Sequence, residues 1–433
     1  MQLSRYKIGT KVGWFDGARF LVSSSDVFPQ VQEEVTRLAG LPEVRSAFGR
    51  FRFEERQIAH WQMDVSRVSS PPFGEIHRAQ WLADRFREIG LANVEFDEVG
   101  NVFGVRPGRG HRFVALSAHI DTVFPATTPL NIRQEGTRLY GPGVSDNGAG
   151  IAAMLAVASV LGSCKPSHSL PFVFIGNVGE EGEGDLRGMR RVFETPRWRN
   201  SIAYSLIIDG AGSDTVVAEA LGSRRFEVIA RGPGGHSWSD FGAPNPIIVL
   251  SRAIQAFSET PLPASPKTTF NIGVIRGGTS VNSIPESASM RVDLRSTSMV
   301  EIDRLERALR ISLDHAMDAE NRPSAQRGTR RPHTVQCEVV EIGNRPAGEL
   351  ASDSRLLKVI RAVDALLGNT AQVQRASTDA NIPLSLGREA IAIGGGGTGG
   401  GAHTLQEWFD CAGRDLGLRR ILLTMLALAG IGD

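Results

Sequence analysis

Two carboxylates stand side by side in Gly176-Asn-Val-Gly-Glu180-Glu181-Gly-Glu-Gly-Asp185, directly after the apolar run Leu170-Pro-Phe-Val-Phe-Ile175. Adjacent like charges disfavour one another unless a proton or a cation lies between them. A solvated acidic turn would explain such a pair if it stood alone. It does not: His119-Ile-Asp121, Ser145-Asp146-Asn147 and Ile208-Asp209-Gly210 each follow an apolar run or a glycine turn, and His403 follows a run of glycines. Imidazole and carboxylate donors in that number suffice for two metal ions. Each cluster taken singly is ambiguous. A His-x-Asp pair is about as well explained by a satisfied core histidine, although an aspartate can also fix the tautomer of a metal-bound imidazole. Asp146 reads as a helix N-cap or as a carboxylate shared by two cations, with its glycine neighbours permitting close backbone approach.

Elements must hold these residues in place. Phe113-Val-Ala-Leu-Ser-Ala-His119, Leu170–Ile175 and Leu206-Ile-Ile208 read as buried strands, each running into one of the clusters. Ile151–Leu161 reads as an apolar helix opened by the Asp146 turn, and Ile76–Ile89 as a helix after the breakers at Ser69–Gly74. Chemistry repeated at strand C-termini, with strand and helix alternating, predicts an α/β fold with a mixed, largely parallel sheet flanked by helices. The stretch Gln32–Arg67 is helical in pattern and charged; His60 on it, and His77 beyond it, read as structural. Residues 1–30 carry no clear period and are set aside as an extension.

The pattern changes near residue 220. A strand at Ser223–Arg231 leads through Gly232-Pro-Gly-Gly-His236-Ser237 to a helix at Pro246–Phe257. Strands at Thr269–Arg276 and Ala288–Arg295, a helix at Val300–Asn321 and a strand at Thr334–Val340 follow. That order suits an inserted α+β domain, one antiparallel sheet with two helices on one face. The division is therefore 1–220 and 336–433 for the main domain and 221–335 for the insertion, with the Arg322–Pro332 piece marking the way back. From Ser352 the α/β pattern resumes, with a turn at Ser377-Thr-Asp379-Ala-Asn381, a strand at Ala390–Ile393 and a terminal helix over Gln406–Leu428. Between these last two lies the glycine run Gly394–Gly401. It lacks the Gly-Lys-Ser/Thr of a phosphate loop, and its place between a strand and a helix marks a site loop.

At 433 residues, 41% apolar and 22% charged, the chain can fold as two domains. A net charge of +1 gives no electrostatic footprint for nucleic acid or an anionic membrane. No apolar run approaches the roughly 18–20 residues needed to span a bilayer. The N-terminus shows no secretory pattern, so the cytoplasm is the expected compartment. Three scattered cysteines argue against a disulfide framework and a thiolate metal site.

In order, His119-x-Asp121, Ser145-Asp146-Asn147, Glu180-Glu181, Asp209, Gly234-Gly235-His236-Ser237, Asn282 with Arg295, and Gly401-Ala-His403 make a specific set. From about residue 70 onward the chain resembles the zinc peptidase family of acetylornithine deacetylase, aminoacylase, peptidase T and bacterial glutamate carboxypeptidase. The resemblance implies a di-zinc exopeptidase fold whose inserted domain, 221–335, makes a homodimer and a lid. It implies two divalent ions per chain, zinc with cobalt or manganese as alternatives, bridged by Asp146 and a water or hydroxide. His119 and Asp209 would take one ion, Glu181 and His403 the other. Asp121 would orient His119, and Glu180 would be the general base. His236 would reach the partner's site and stabilise the oxyanion, and Asn282 and Arg295 would bind the substrate's carbonyl oxygen or carboxylate. The implied reaction is hydrolysis of an amide bond in a small peptide. The alternative is an N-acyl-amino-acid deacylase, which would share the catalytic set. A metal-binding protein without catalysis is disfavoured because it has no need of Glu180, and a nucleotide-binding protein because of the missing lysine.

Overall fold

The computed structural model describes residues 29–322 and 334–430, so the first 28 residues and all but the first residue of the Pro- and Arg-rich return piece lie outside the description. Apolar segments that are buried along almost their whole length form the middle of a nine-stranded sheet. Its central four strands, Phe172–Asn177, Phe113–His119, Ile202–Ile208 and Glu389–Ile393, are mutually parallel. Their C-terminal ends therefore share one edge of the sheet. Ala92–Phe96 and Val102–Arg106 extend the sheet antiparallel on one side, and Thr215–Ala220 with Gly348–Glu349 and Gln372–Ala376 complete it on the other. The fold is α/β with a largely parallel sheet and an inserted α+β unit, as the pattern of elements predicts.

Helix Gly148–Cys164 is apolar almost all round and packs in the interior, where 13 of its residues are buried. It contacts helices Pro42–Phe53, Glu55–Ser66 and Arg414–Ala429. The charged stretch read as helical from Gln32 is three helices, Pro29–Gly40, Pro42–Phe53 and Glu55–Ser66; Pro42 starts the second one, where its missing N–H costs nothing. No helix among the described residues is long and apolar enough to cross a membrane.

The inserted unit is a four-stranded antiparallel sheet in the order Thr268–Gly277, Ser287–Ser296, Gly222–Arg231, Gln336–Arg345. Alternate residues of its strands are buried, among them Phe226, Val228, Ala230, Met290, Val292 and Leu294. They pack with Val249, Leu250, Leu305 and Leu309 of helices Pro246–Ser258 and Met299–Asn321. The last strand carries this sheet to Arg345, ten residues past the return expected at 335. The strand read as ending at Val340 runs five residues further because its pairing with Gly222–Arg231 continues.

Two further differences concern the C-terminal part. The helix expected from Gln406 begins at Arg414, and Trp408–Asp410 is instead a strand paired with Arg138–Tyr140. Gly413, at φ 76°, makes the left-handed turn into that helix. The glycine run 394–401 is packed against neighbours. A Cβ on Gly394 would lie 2.3 Å from the Ala211 carbonyl oxygen, and one on Gly399 would lie 2.4 Å from Ser145 Oγ. Close approach to the Asp146 loop is the reason for glycine there, in keeping with a site loop.

Candidate metal centre

The shared C-terminal edge of the parallel strands collects the acid and histidine clusters. Strand Phe113–His119 ends on His119; Ile202–Ile208 delivers Asp209; Phe172–Asn177 runs through Gly179, at φ 66°, into Glu180 and Glu181. The left-handed turn at Gly179 folds the chain back over the strand end, which a residue with a Cβ adopts only with strain. Asp146 sits just before the N-cap of helix Gly148–Cys164. The cap is Asn147: its side-chain oxygen accepts from Gly150 N and Gly210 N at 3.1 Å each, and its amide donates to the Ile208 carbonyl at 2.8 Å. One side chain thus fixes Asp146 relative to Asp209. The Asp146–Asn147 peptide is cis.

Two donor groups result, and Asp146 belongs to both. His119, Asp146 and Asp209 have ligand atoms within 4.8 Å of one another, and so do Asp146, Glu181 and His403. His119 Nε2 lies 3.1 Å from Asp146 Oδ1 and 3.8 Å from Asp209 Oδ1. His403 Nε2 lies 3.1 Å from both Asp146 Oδ2 and Glu181 Oε1. The two oxygens of Asp146 face different imidazoles, the disposition of a carboxylate that can join two cations. Glu180 lies close by, within the same distance of His119 and Glu181.

Asp121 is buried beneath the group. Its Oδ1 is 3.6 Å from His119 Nδ1, and its two oxygens accept from Glu180 N at 3.0 Å and Glu181 N at 2.7 Å. It therefore orients the His119 ring and fixes the backbone of the adjacent glutamates.

Electrostatics shows what the cluster wants. Burial opposes a charge on His119, but Asp121, Asp146 and Asp209 outweigh it and hold the imidazole well above the ordinary range. Asp146 and Glu181 push His403 up to about 10. Burial works against the ionised form of Asp146 as well, yet the two imidazoles keep its carboxyl below the usual range. Three carboxylates around two imidazoles attract positive charge, and nitrogen and oxygen donors without thiolates suit zinc, cobalt or manganese. The residues fit two divalent cations. Glu180 differs from Asp146: burial raises it well above the ordinary carboxylate range, only partly offset by Arg345. A buried carboxylate of raised basicity is suited to take up a proton and give it back.

Several residues of the site were not singled out by sequence reasoning. Glu407, buried, accepts from the main-chain N–H groups of Gly143, Ser145 and Asp146 at 2.9, 2.7 and 2.7 Å. Gln62 donates to the Val144 carbonyl at 2.5 Å, so the Asp146 loop is gripped on both its N–H and its C=O groups. Arg345 pairs with Glu180 Oε1 at 2.9 Å. Asp379 accepts from Asn177 at 2.5 Å, and burial moves its carboxyl up to about 7. Glu407 follows His403 by four residues and Asp379 lies in a turn the pattern marks, but nothing local names their partners.

The inserted unit places the remaining three residues apart. His236, exposed on a short strand paired with Ser283–Ile284, lies beside Asn282, whose carbonyl accepts from Ser237 N at 3.0 Å. Arg295 lies at the other end of its strand, opposite Ser223, and donates to Asp293 at 2.6 Å. Eight residues of strand separate Arg295 from Ser287, which spans roughly 25 Å. Within one chain, His236 and Asn282 are at the end of the inserted sheet remote from the metal centre, and Arg295 is at the near end, level with Arg345.

The family model for peptidase family M20/M25/M40 matches residues 115–426. A probable carboxypeptidase of Aspergillus clavatus is 30% identical over 55% of this chain and 57% of its own length. A succinyl-diaminopimelate desuccinylase of Pseudoalteromonas atlantica is 26% identical over 54% of this chain and 66% of its own. The chain thus spans less than two thirds of the length of these relatives. The crystal structure of aminopeptidase PepT from Bacillus cereus superposes with a TM-score of 0.69 at 20% identity, covering 87% of this chain and 99% of that one, a likeness of fold.

Proposed function

We propose that this chain, which belongs to peptidase family M20/M25/M40, hydrolyses an amide bond in a small peptide with Glu180 as general base. The observation that carries the reading is Asp146, with one oxygen toward each imidazole and a buried carboxylate of raised basicity beside them. His119 and Asp209 would hold one divalent cation, Glu181 and His403 the other, and Asp146 both. Such ions, when bound, supply Lewis acidity toward the scissile carbonyl and make water more acidic. Glu180 accepts the proton of the attacking water and returns it to the leaving amine, the two roles a single raised carboxylate can play in turn. Asp121 keeps the Glu180–Glu181 backbone and the His119 ring in place for this.

His236 and Asn282 sit too far along the inserted sheet to serve the site of their own chain in the described arrangement. A homodimer through the inserted unit would bring them to the partner's site, where His236 of the partner subunit would hydrogen-bond the developing oxyanion. Arg295 is assigned to the carboxylate of the substrate, which its planar fork can pair through two bonds. A second reading, deacylation of an N-acyl amino acid, is favoured by the similarity to a desuccinylase and uses the same residues.

A panel of dipeptides, tripeptides and N-acetyl, N-succinyl and N-carbamoyl amino acids, assayed with added zinc, cobalt or manganese, separates the two. Glu180→Gln should lower kcat by ~10²–10⁴-fold, the range typical of lost acid–base catalysis. Its metal content should stay that of the wild type. Loss of metal along with activity would make Glu180 a ligand and reverse the assignment of the pair.

A further inference from the structure

Glu180 belongs to the main domain, but its cation does not. Arg345 is the last residue of strand Gln336–Arg345 in the inserted sheet, at the point where the chain returns through Pro346. Its Nη1 donates to Glu180 Oε1 at 2.9 Å, and its Nη2 donates to the main-chain carbonyl of the same residue. Both side chains are almost wholly buried, at 7% and 8% exposed. One guanidinium thus grips a side chain and its own backbone together. That chelate selects one direction for the carboxylate and leaves its other oxygen, Oε2, outside the pair.

The return strand is fastened to the same turn at a second place. Asn344 N donates to Asp185 Oδ1 at 2.9 Å, and Arg190 donates to the Asn344 carbonyl. Asn381 then ties the two crossings between the domains, donating to the carbonyls of Leu221 and Pro346 at 2.9 and 2.8 Å. The end of the inserted sheet is therefore held against the catalytic turn. A role for Arg345 as reader of a substrate carboxylate fits poorly, because its outer nitrogens are already engaged and its side chain is covered.

We infer that Arg345 is a positioning residue for the base: from the return strand of the inserted domain it fixes the direction of the Glu180 carboxylate, so the chemical step depends on a residue outside the catalytic sheet. The inference rests on the reading of Glu180 as general base. Steady-state kinetics on wild type, Arg345→Met, Arg345→Lys, Glu180→Gln and the Arg345→Met/Glu180→Gln double variant, with metal content measured on each, tests it. Arg345→Met should lower kcat by ~10–100-fold, the size of effect seen when a group that orients a reactive residue is lost. KM and metal content should change by no more than about twofold, as for an interaction that acts in the transition state alone. Arg345→Lys should recover part of the rate, since an ammonium can hold Oε1 but not the carbonyl as well. In the Glu180→Gln background Arg345→Met should cost less than about twofold more, because the two residues act as a unit.

A raised KM at unchanged kcat would overturn the inference and make Arg345 a substrate contact. Equal losses in the two backgrounds, or parallel loss of metal or fold in both Arg345 variants, would reduce it to a structural tie. An inactive Glu180→Gln beside an unimpaired Arg345→Met would sink this inference alone, whereas an active Glu180→Gln would remove the base assignment and this inference with it.

Discussion

Replacing Asp146 by alanine removes a donor from two candidate metal-binding groups at once. Its Oδ1 lies 3.1 Å from His119 Nε2 and its Oδ2 lies 3.1 Å from His403 Nε2, so each group falls from three protein donors to two. A four-donor structural zinc site is worth ~10–16 kcal/mol at neutral pH, or about 2.5–4 kcal/mol per donor. That is ~10²–10³-fold in affinity for each ion. The His403 side should lose the less tightly bound ion first, because that imidazole is 54% exposed and competes with water. Metal per chain after dialysis against a weak chelator, with titration calorimetry on the stripped protein, gives both numbers. Far-UV circular dichroism and Tm report whether the cap at Asn147 survives. The private ligands provide the control. Asp209→Ala should release only the ion on the His119 side, and Glu181→Ala only the one on the His403 side. An Asp146→Ala protein that keeps two ions, or an Asp209→Ala protein that loses both, would refute the shared-carboxylate reasoning.

Mixing inactive His236→Ala chains with inactive Glu180→Gln chains should restore partial activity, because a mixed dimer can assemble one intact site. Exchange of subunits without any return of activity would place His236 outside catalysis or within its own chain. Arg295→Lys should erase most of the preference for a substrate acid over its C-terminal amide, on the order of 10²-fold in kcat/KM for a charge-assisted contact. Equal cleavage of acid and amide by the wild type would show that Arg295 reads no carboxylate. Metal binding should release protons. In the metal-free protein Asp146 and Glu181 hold His403 at about 10, so its imidazole is protonated at neutral pH, and His119 too is raised. The raised imidazoles favour protons below that range, so metal affinity should climb as pH rises toward 10 and weaken on acidification. Calorimetry in buffers of different ionisation enthalpy measures the release, and none at neutral pH would contradict the raised His403 imidazole.

Much of the main domain is legible in the sequence because its signals are local. Phe113–His119 is a strand by its own apolar run and coincides with the strand observed. His119, Glu180, Glu181 and Asp209 announce themselves by standing where apolar runs end, and parallel pairing of those runs brings their ends to one edge. Alternating burial in the inserted sheet follows from a period of two, which side chains in an extended chain obey wherever the strand pairs. What a local pattern cannot carry is the choice of partner. Strand Gln336–Arg345 is legible from its period only as far as Val340, and its register against Gly222–Arg231 is what carries it on to Arg345. Trp408–Asp410 became a strand because Arg138–Tyr140 offered a pairing edge, against a helical pattern. Glu407 meets the Asp146 loop from more than 260 residues away, and Arg345 meets Glu180 across 165. A buried charge must find its counter-charge or its N–H groups somewhere in the fold, but chain entropy is indifferent to which distant residue supplies them. The sequence thus marked which groups could carry the chemistry, and packing of the two domains decided which arginine meets Glu180.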